Sequence, residues 1–332
     1  MMTSHDVWDR IAPGEAVSGP RLEVTRESIR EFAEASLDFN PLHLDDKYME
    51  TTFGKTRFGG IIAHGMMTFA LITRTMTDWL GSRGAIHRRL ETRWLRPVRV
   101  GDTIAAHARV SAKVATDKGR WLQFEVEVKN HRGETTATGD AMAEFREAPR
   151  LAVEGGGPAA GVSGASRAPT GTESVFDPAA FERDFWKNAD KRKTWDEIVP
   201  GELRRTFPVT LTGEAIQRLA RSVGDLNPLY FDEDYAAQSP WCGLIAPPSI
   251  HIMLMFACTP DDDWMRTPGT INAGQSWFYH VPARPGDTVR MVARALDRFI
   301  RKERLFVVHD NVFYNQAGEV ICSGRGWTIR PR

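Results

Sequence analysis

The chain repeats itself, and no other feature of its 332 residues limits the fold as much. Trp8-Asp9-Arg10-Ile11-Ala12-Pro13-Gly14-Glu15 returns 187 residues later as Trp195-Asp196-Glu197-Ile198-Val199-Pro200-Gly201-Glu202. Asp38-Phe39-Asn40-Pro41 returns as Asp225-Leu226-Asn227-Pro228, and Gly60-Ile61-Ile62-Ala63 as Gly243-Leu244-Ile245-Ala246 after a four-residue deletion. Arg96–Thr103 matches Val281–Thr288, and the Gly133-Glu134 turn matches Gly318-Glu319. Chance similarity does not hold one order over so long a stretch, so two structural copies are predicted.

Each copy reads the same way. Thr25 and Thr212 are placed as helix N-caps, where a side-chain oxygen satisfies an orphan N–H. Ile29, Phe32, Ala33 and Ser36 follow at helical spacing in one copy, and Ile216, Leu219, Ala220 and Val223 in the other. Asn-Pro then stops both helices, because proline disfavours a helical residue before it and supplies no N–H. In the first copy a helix is expected over Gly65–Leu80, apolar on nearly every side and therefore surrounded. Strands are expected over Ile86–Leu95, Thr103–Lys113, Trp121–Asn130 and Thr135–Phe145, separated by turn-forming segments. A long apolar helix wrapped by a curled antiparallel sheet is an α+β hot-dog arrangement, so two tandem hot-dog domains are predicted. The expected division is 1–147 for a catalytic domain, 148–174 for a flexible Gly/Ala/Ser/Pro linker, and 175–332 for a degenerate domain. Within the last, Phe176–Lys193 carries Phe181, Phe185 and Trp186 at helical spacing and reads as a helical lead-in packed on the body.

Asp38, Asn40 and His43 are the candidate chemistry. Residues i and i+5 do not share a helical face, so only the turn at Asn40-Pro41 can bring Asp38 and His43 together. A carboxylate beside an imidazole suits the addition or removal of water, one group taking a proton and the other delivering or sharing one. Asn40 can hold the turn through an Asx-type bond. Gly65 opens a helix, and its N–H, backed by the helix dipole, can face an acyl oxygen on which negative charge develops. His64 and Arg57 are weaker candidates for substrate contact; Lys55 and Arg96 have no less claim than Arg57. The second copy keeps Asp225 and Asn227 but has Tyr230 where His43 stands, and Pro247-Pro248 where His64-Gly65 stand. Tyrosine, with an ordinary pKa near 10, is a poor base at neutral pH, and proline has no N–H to offer. The second copy is therefore expected to be catalytically silent.

Composition closes several alternatives. Lys+Arg and Asp+Glu both number 43, so no overall field draws in nucleic acid or an anionic membrane. The apolar runs fall short of the roughly 20 residues that span a bilayer, and MMTSHDVWDR lacks the apolar core of a signal peptide. Cys242, Cys258 and Cys322 are odd in number and without a CxxC, as in a reducing compartment, and a cytoplasmic setting is expected. No metal, flavin or nucleotide motif occurs, so no cofactor is expected.

Asp38-Phe39-Asn40-Pro41-Leu42-His43, with Ala63-His64-Gly65-Met66 downstream, resembles the hydratase motif of the MaoC-like (R)-specific enoyl-CoA hydratases. The second copy, with Ile245-Ala246-Pro247-Pro248-Ser249 and Ala273-Gly274-Gln275, resembles the degenerate half of their double hot-dog members. The resemblance implies reversible syn addition of water to a trans-2-enoyl-CoA, giving an (R)-3-hydroxyacyl-CoA. It implies that Asp38 and His43 hold and activate the water, that the Gly65 N–H polarises the thioester carbonyl, and that Asn40 supports the pair. Coenzyme A is then part of the substrate. In the two-copy members the active half usually comes second, whereas here it comes first, which leaves acyl length open. Two copies in one chain can complete the basic unit, with a homodimer of such chains compatible with the sequence. A hot-dog thioesterase and a non-catalytic acyl-CoA-binding subunit are the rival readings; dehydration of a specialised 3-hydroxyacyl-CoA would use the same groups in reverse.

Overall fold

A computed structural model describes residues 4–53, 58–81, 83–117, 119–145, 186 and 188–331. The expected linker at 148–174 lies outside these residues, as do Phe176, Phe181 and Phe185 of the expected lead-in helix. Where the lead-in enters the described chain, Ala189–Lys191 forms a short 3-10 turn, and the Trp186 ring meets Tyr48 of the first half at 5.7 Å.

The first half runs α1 (Ser4–Arg10), β1 (Ala16–Glu23), α2 (Arg26–Ser36), α3 (Pro41–Leu44), α4 (Asp46–Phe53), α5 (Gly65–Gly81), then β2 (Ala85–Trp94), β3 (Thr103–Thr116), β4 (Gly119–Asn130) and β5 (Thr135–Phe145). The second half runs β6 (Val209–Thr210), α6 (Gly213–Ser222), α7 (Glu233–Ala237), α8 (His251–Ala257), β7 (Ile271–Tyr279), β8 (Thr288–Arg301), β9 (Arg304–Tyr314) and β10 (Val320–Arg330). Thr25 caps α2 through Ser28 N–H (3.0 Å) and Thr212 caps α6 through Ala215 N–H (3.2 Å), as their positions predict. The apolar stripes of both helices are buried, with Ile29, Phe32, Ile216 and Leu219 at 1% exposure or less.

All ten strands belong to one continuous sheet in the order β1-β3-β4-β5-β2-β7-β10-β9-β8-β6. The halves join where β2 pairs antiparallel with β7, Leu90 opposite Trp277 and Thr92 opposite Gln275. Each of these pairs is the image of the other under the repeat, so the junction is isologous, as between identical subunits. Helix α5, about 26 Å long at 1.5 Å per residue, is buried along nearly all its length against β1, β2 and β3. The repeated tryptophans are structural: Trp8 Nε1 donates to Trp121 O (3.1 Å) under Lys113, and Trp195 Nε1 donates to Phe306 O (2.9 Å) under Arg298.

The copies differ at their central helices. Helix α5 has 17 residues and α8 only 7. Cys258-Thr259-Pro260 ends α8, and the chain crosses through Asp263–Thr270 towards the first half. Buried arginines pin this crossing. Arg266, 1% exposed, donates to the carbonyls of Phe256, Thr259 and Pro260; Arg204 pairs with Asp263 at 2.8 Å; Arg192 donates to Arg266 O and Arg330 to Trp264 O. Among the described residues no helix is long and apolar enough to cross a membrane.

Candidate active site

Helix α2 ends at Leu37 in the left-handed conformation (φ 61°), which turns the chain sharply into Asp38. Asn40 then caps α3, its Oδ1 accepting Leu42 N–H at 3.3 Å, with Pro41 supplying a preset helical φ at the first position. Asp38 Oδ1 accepts the Asn40 N–H at 3.3 Å, and His43 N–H donates to Asn40 O at 2.9 Å. One asparagine therefore links the residues at both ends of the turn. Ligand atoms of Asp38, His43 and His64 lie within 4.8 Å of one another, so the expected carboxylate–imidazole convergence is present.

The tautomer of His43 is fixed. Its Nδ1–H donates to Ile62 O (2.8 Å), which leaves Nε2 as a lone-pair acceptor. Burial pushes the His43 imidazole below 6.5, partly opposed by the nearby Asp38 charge, so the ring is neutral at physiological pH. Burial likewise raises the Asp38 carboxyl, with His43, the Asn40 N–H and the Arg266 charge pulling the other way. A carboxylate so raised is a better base than a free aspartate, and an imidazole so lowered is a worse one.

His64 stacks on His43 with centroids 3.7 Å apart, and its Nε2 donates to Asp38 O at 2.8 Å. It is 1% exposed and held well below its ordinary pKa by burial, then by His43. His64 thus braces both members of the pair from behind. The three residues are close enough to suggest metal ligands. One nitrogen of each imidazole already donates to a carbonyl, which leaves His43 Nε2 and His64 Nδ1 as lone-pair acceptors, and burial disfavours a proton on either ring.

Gly65 begins α5, where the N–H groups of a first turn have no partner within the helix. Trp94 Nε1 donates to Gly65 O (2.9 Å), and a Cβ on Gly65 would come within 2.9 Å of the Trp94 ring. Close packing alone therefore requires glycine here, whatever its N–H does. Arg57 and Lys55 lie outside the described residues, and Arg96 sits at the β2–β3 turn with its N–H on Thr136 O (3.2 Å).

What holds Asn40 has no local signal in the chain. Its Nδ2 donates to Thr270 O at 2.9 Å, and its Oδ1 accepts Gly269 N–H at 3.1 Å, both from the second half. The crossing segment pinned by Arg266 thus ends by clasping the first half's turn. At the repeat-related position Gly84 N–H donates to Gly81 O (3.4 Å), and the second turn is open, Leu226 being 67% exposed against 4% for Phe39.

In the second half Asp225 Oδ1 accepts Asn227 N–H and Asn227 Oδ1 accepts Leu229 N–H, so the turn keeps its shape. Tyr230 is buried at the place of His43, its hydroxyl pushed well above 10 by burial, then by Asp225. Pro247 precedes the 3-10 turn Pro248–Ile250 where His64 precedes Gly65. Burial, then the Asp78 charge, raises the Asp225 carboxyl to about 7.

Comparison with known proteins finds one family match in each half. A family model for the MaoC like domain matches residues 10–132, and one for the FAS1-like, dehydratase domain region matches residues 199–323. An (R)-specific enoyl-CoA hydratase of Rhodospirillum rubrum is 36% identical over 111 residues, 33% of this chain and 74% of that protein. A 3-hydroxybutyryl-CoA dehydratase of Methylorubrum extorquens is 28% identical over 138 residues, 41% of this chain and 83% of that protein. Among solved structures, a putative MaoC domain protein dehydratase from Chloroflexus aurantiacus superposes with a TM-score of 0.71 over 98% of this chain and 97% of its own, at 13% identity. A double hot-dog protein of Mycobacterium tuberculosis covers 97% of each chain with a TM-score of 0.67 at 14% identity. At such identities these two speak to the fold, while the hydratase relative speaks to the family. The chain belongs to the MaoC-like dehydratase family and is a hydro-lyase built as a double hot-dog.

Proposed function

We propose that the first half catalyses the reversible hydration of a trans-2-enoyl-CoA to an (R)-3-hydroxyacyl-CoA. The observation that carries this reading is the convergence of Asp38 and His43, with the His43 tautomer fixed by Ile62 O so that Nε2 is left as an acceptor. A water between them gives one hydrogen to His43 Nε2 and the other to the Asp38 carboxylate. As its oxygen bonds to C3 of the enoyl group, Asp38 takes the proton and passes it to C2, so that the pair ends as it began. Burial suits Asp38 to this carrier role by raising its affinity for a proton, while lowered basicity suits His43 to orienting the water. The Gly65 N–H stabilises the negative charge that develops on the thioester oxygen between the two bond-forming events. Asn40 holds the turn, and His64 backs both groups. The dehydration of a 3-hydroxyacyl-CoA follows the same path in reverse.

The test is hydration of crotonyl-CoA, followed as loss of enoyl absorbance, alongside a thiol assay. Hydration without release of free CoA is expected. CoA release without hydration would instead establish a thioesterase, and inactivity of both wild type and Asp38→Asn across an acyl-CoA panel would establish a binding subunit.

A further inference from the structure

The repeat places a cavity where the second half's active site would be. A space of about 110 Å³ opens between the halves, walled by Leu80, Ile86, Tyr230, Ile245, Val281 and Ile321 and floored by Pro247 and Pro248. Arg284 holds its rim by donating to Trp241 O (2.6 Å), just as Arg99 donates to Phe58 O (3.1 Å) in the first half. The cavity is independent of Asp38: it touches α5 at Thr77, Leu80 and Gly81, about 18–24 Å along that helix from Gly65. Its walls are mostly apolar, and its volume is somewhat below the roughly 150 Å³ of an apolar cavity that admits benzene. An aliphatic group of about four carbons fits that space.

Two wall residues carry an unsatisfied polar atom, His87 at Nδ1 and Tyr279 at its hydroxyl; the tyrosine can donate or accept and so does not discriminate between acyl groups, whereas His87 can. His87 lines the cavity and is 4% exposed; its Nε2–H donates to Arg89 O (3.1 Å), and its Nδ1 has no hydrogen-bond partner. Burial lowers the ring to about 4, so at neutral pH Nδ1 carries a lone pair and no proton. A buried acceptor without a donor is costly. The neighbouring charge offers it nothing, because Arg88 is committed to Glu144 (2.7 Å) and to the carbonyls of Tyr279 and His280. An enoyl or saturated acyl group has only acceptors, and cannot satisfy Nδ1. A hydroxyl can.

From the repeat, the cavity and His87, we propose that the second half binds the short 3-hydroxyacyl group of a CoA thioester, without reaction, at a site separate from the catalytic one. The acyl class rests on the function proposed above; the hydroxyl preference rests on His87 alone. Without an N–H at Pro247-Pro248 or an imidazole at Tyr230 to orient water, the bound ester is held and not turned over.

The test is equilibrium dialysis of (R)-3-hydroxybutyryl-CoA and butyryl-CoA against the full chain carrying Asp38→Asn, which slows turnover by roughly 100-fold or more, with the ester recovered from both chambers checked for conversion. The hydroxy ester is expected to bind at two equivalents, falling to one with Val281→Trp or Leu229→Trp, each checked by a thermal melt. The second equivalent is expected to prefer the hydroxy ester about fivefold over butyryl-CoA, one neutral hydrogen bond's worth, and His87→Phe is expected to erase that preference. A single equivalent in the parent chain overturns the second site, a test that needs no pocket variant. Two equivalents unaffected by folded tryptophan variants overturn its location. Equal binding of both esters, or a preference that survives His87→Phe, overturns the hydroxyl assignment. Crotonyl-CoA hydration by the wild type is scored separately, so failure of the catalytic reading leaves the dialysis counts standing.

Discussion

Replacing Asn40 by alanine separates what the second half does for the first from what each turn does for itself. The side chain makes three hydrogen bonds at 6% exposure: to Thr270 O, from Gly269 N–H and from Leu42 N–H. Alanine strands the first two partners across the junction, at about 1–3 kcal/mol each when buried and unpaired. It also removes a helix cap worth about 1 kcal/mol. The expected loss is roughly 3–7 kcal/mol, reduced to the extent that water reaches Gly269. Asn227→Ala is the internal control, since its carbonyl oxygen caps Leu229 N–H in the same way but on an exposed turn, and about 1 kcal/mol is expected there. Urea unfolding of both variants, with fluorescence and circular dichroism compared for coincidence, gives the difference. Turnover should divide the same way: a displacement of about 1 Å at the Asp38–His43 pair costs on the order of 100-fold in kcat, whereas Asn227→Ala should stay within a few-fold of wild type. Equal losses of stability and of rate in the two variants would refute the clasp.

Asp38→Asn and His43→Gln should each lower kcat for crotonyl-CoA hydration by roughly 100-fold or more, while Tyr230→Phe stays within a few-fold; a large loss at Tyr230 would mean that the second half works. Activity requires a charged Asp38 and a neutral His43, the first raised from 3.8 and the second lowered from 6.5. The acid limb of the kcat/KM profile should therefore have its midpoint above 3.8, with loss as pH falls, and a midpoint at or below 3.8 would contradict the burial of Asp38. Asp225 has the opposite consequence for stability. Its carboxyl binds a proton more tightly folded, at about 7, than unfolded, near 3.8, so stability should decline as pH rises from about 4 to about 7. The decline is on the order of 4 kcal/mol at most. Asp225→Asn keeps an acceptor for Asn227 N–H and should remove that slope, raising the urea midpoint at pH 7.5 but not at pH 4; a lower midpoint at pH 7.5 would refute the assignment.

Local chemistry explains which parts could be read from the sequence. The caps at Thr25 and Thr212 and the stop at Asn-Pro depend only on neighbours in the chain, and they form where expected. The strands β2 to β5 start or end within three residues of their predicted limits, because alternation and turn residues define them. The meeting of Asp38 and His43 was legible as well, since a five-residue spacing across a turn leaves little else. What the sequence did not disclose crosses long intervals. Nothing near Asn40 announces Thr270, 230 residues away, and nothing near Asp38 announces Arg266. The shortness of α8 had a visible cause in Pro260, but its consequence, a segment freed to reach the other half, depends on the junction of β2 with β7.

That consequence gives the second half a part in the first half's site whether or not it has chemistry of its own. An isologous pairing of two identical hot-dogs would offer each site the same neighbour, a helix as long as α5. Here the neighbour of Asp38 has a shorter helix followed by the Asp263–Thr270 crossing, where Arg266, Arg192 and Arg330 donate to backbone carbonyls and Arg204 pairs with Asp263. The crossing ends on Asn40, the residue that joins the acid to the imidazole. The reverse contact, from the first half to the second, is replaced by the end of an intact α5 and by a cavity. The two asymmetries go together: the half with Tyr230 in place of His43 also has the shorter central helix, and the segment that follows it supplies Gly269 and Thr270 to hold Asn40 of the other half.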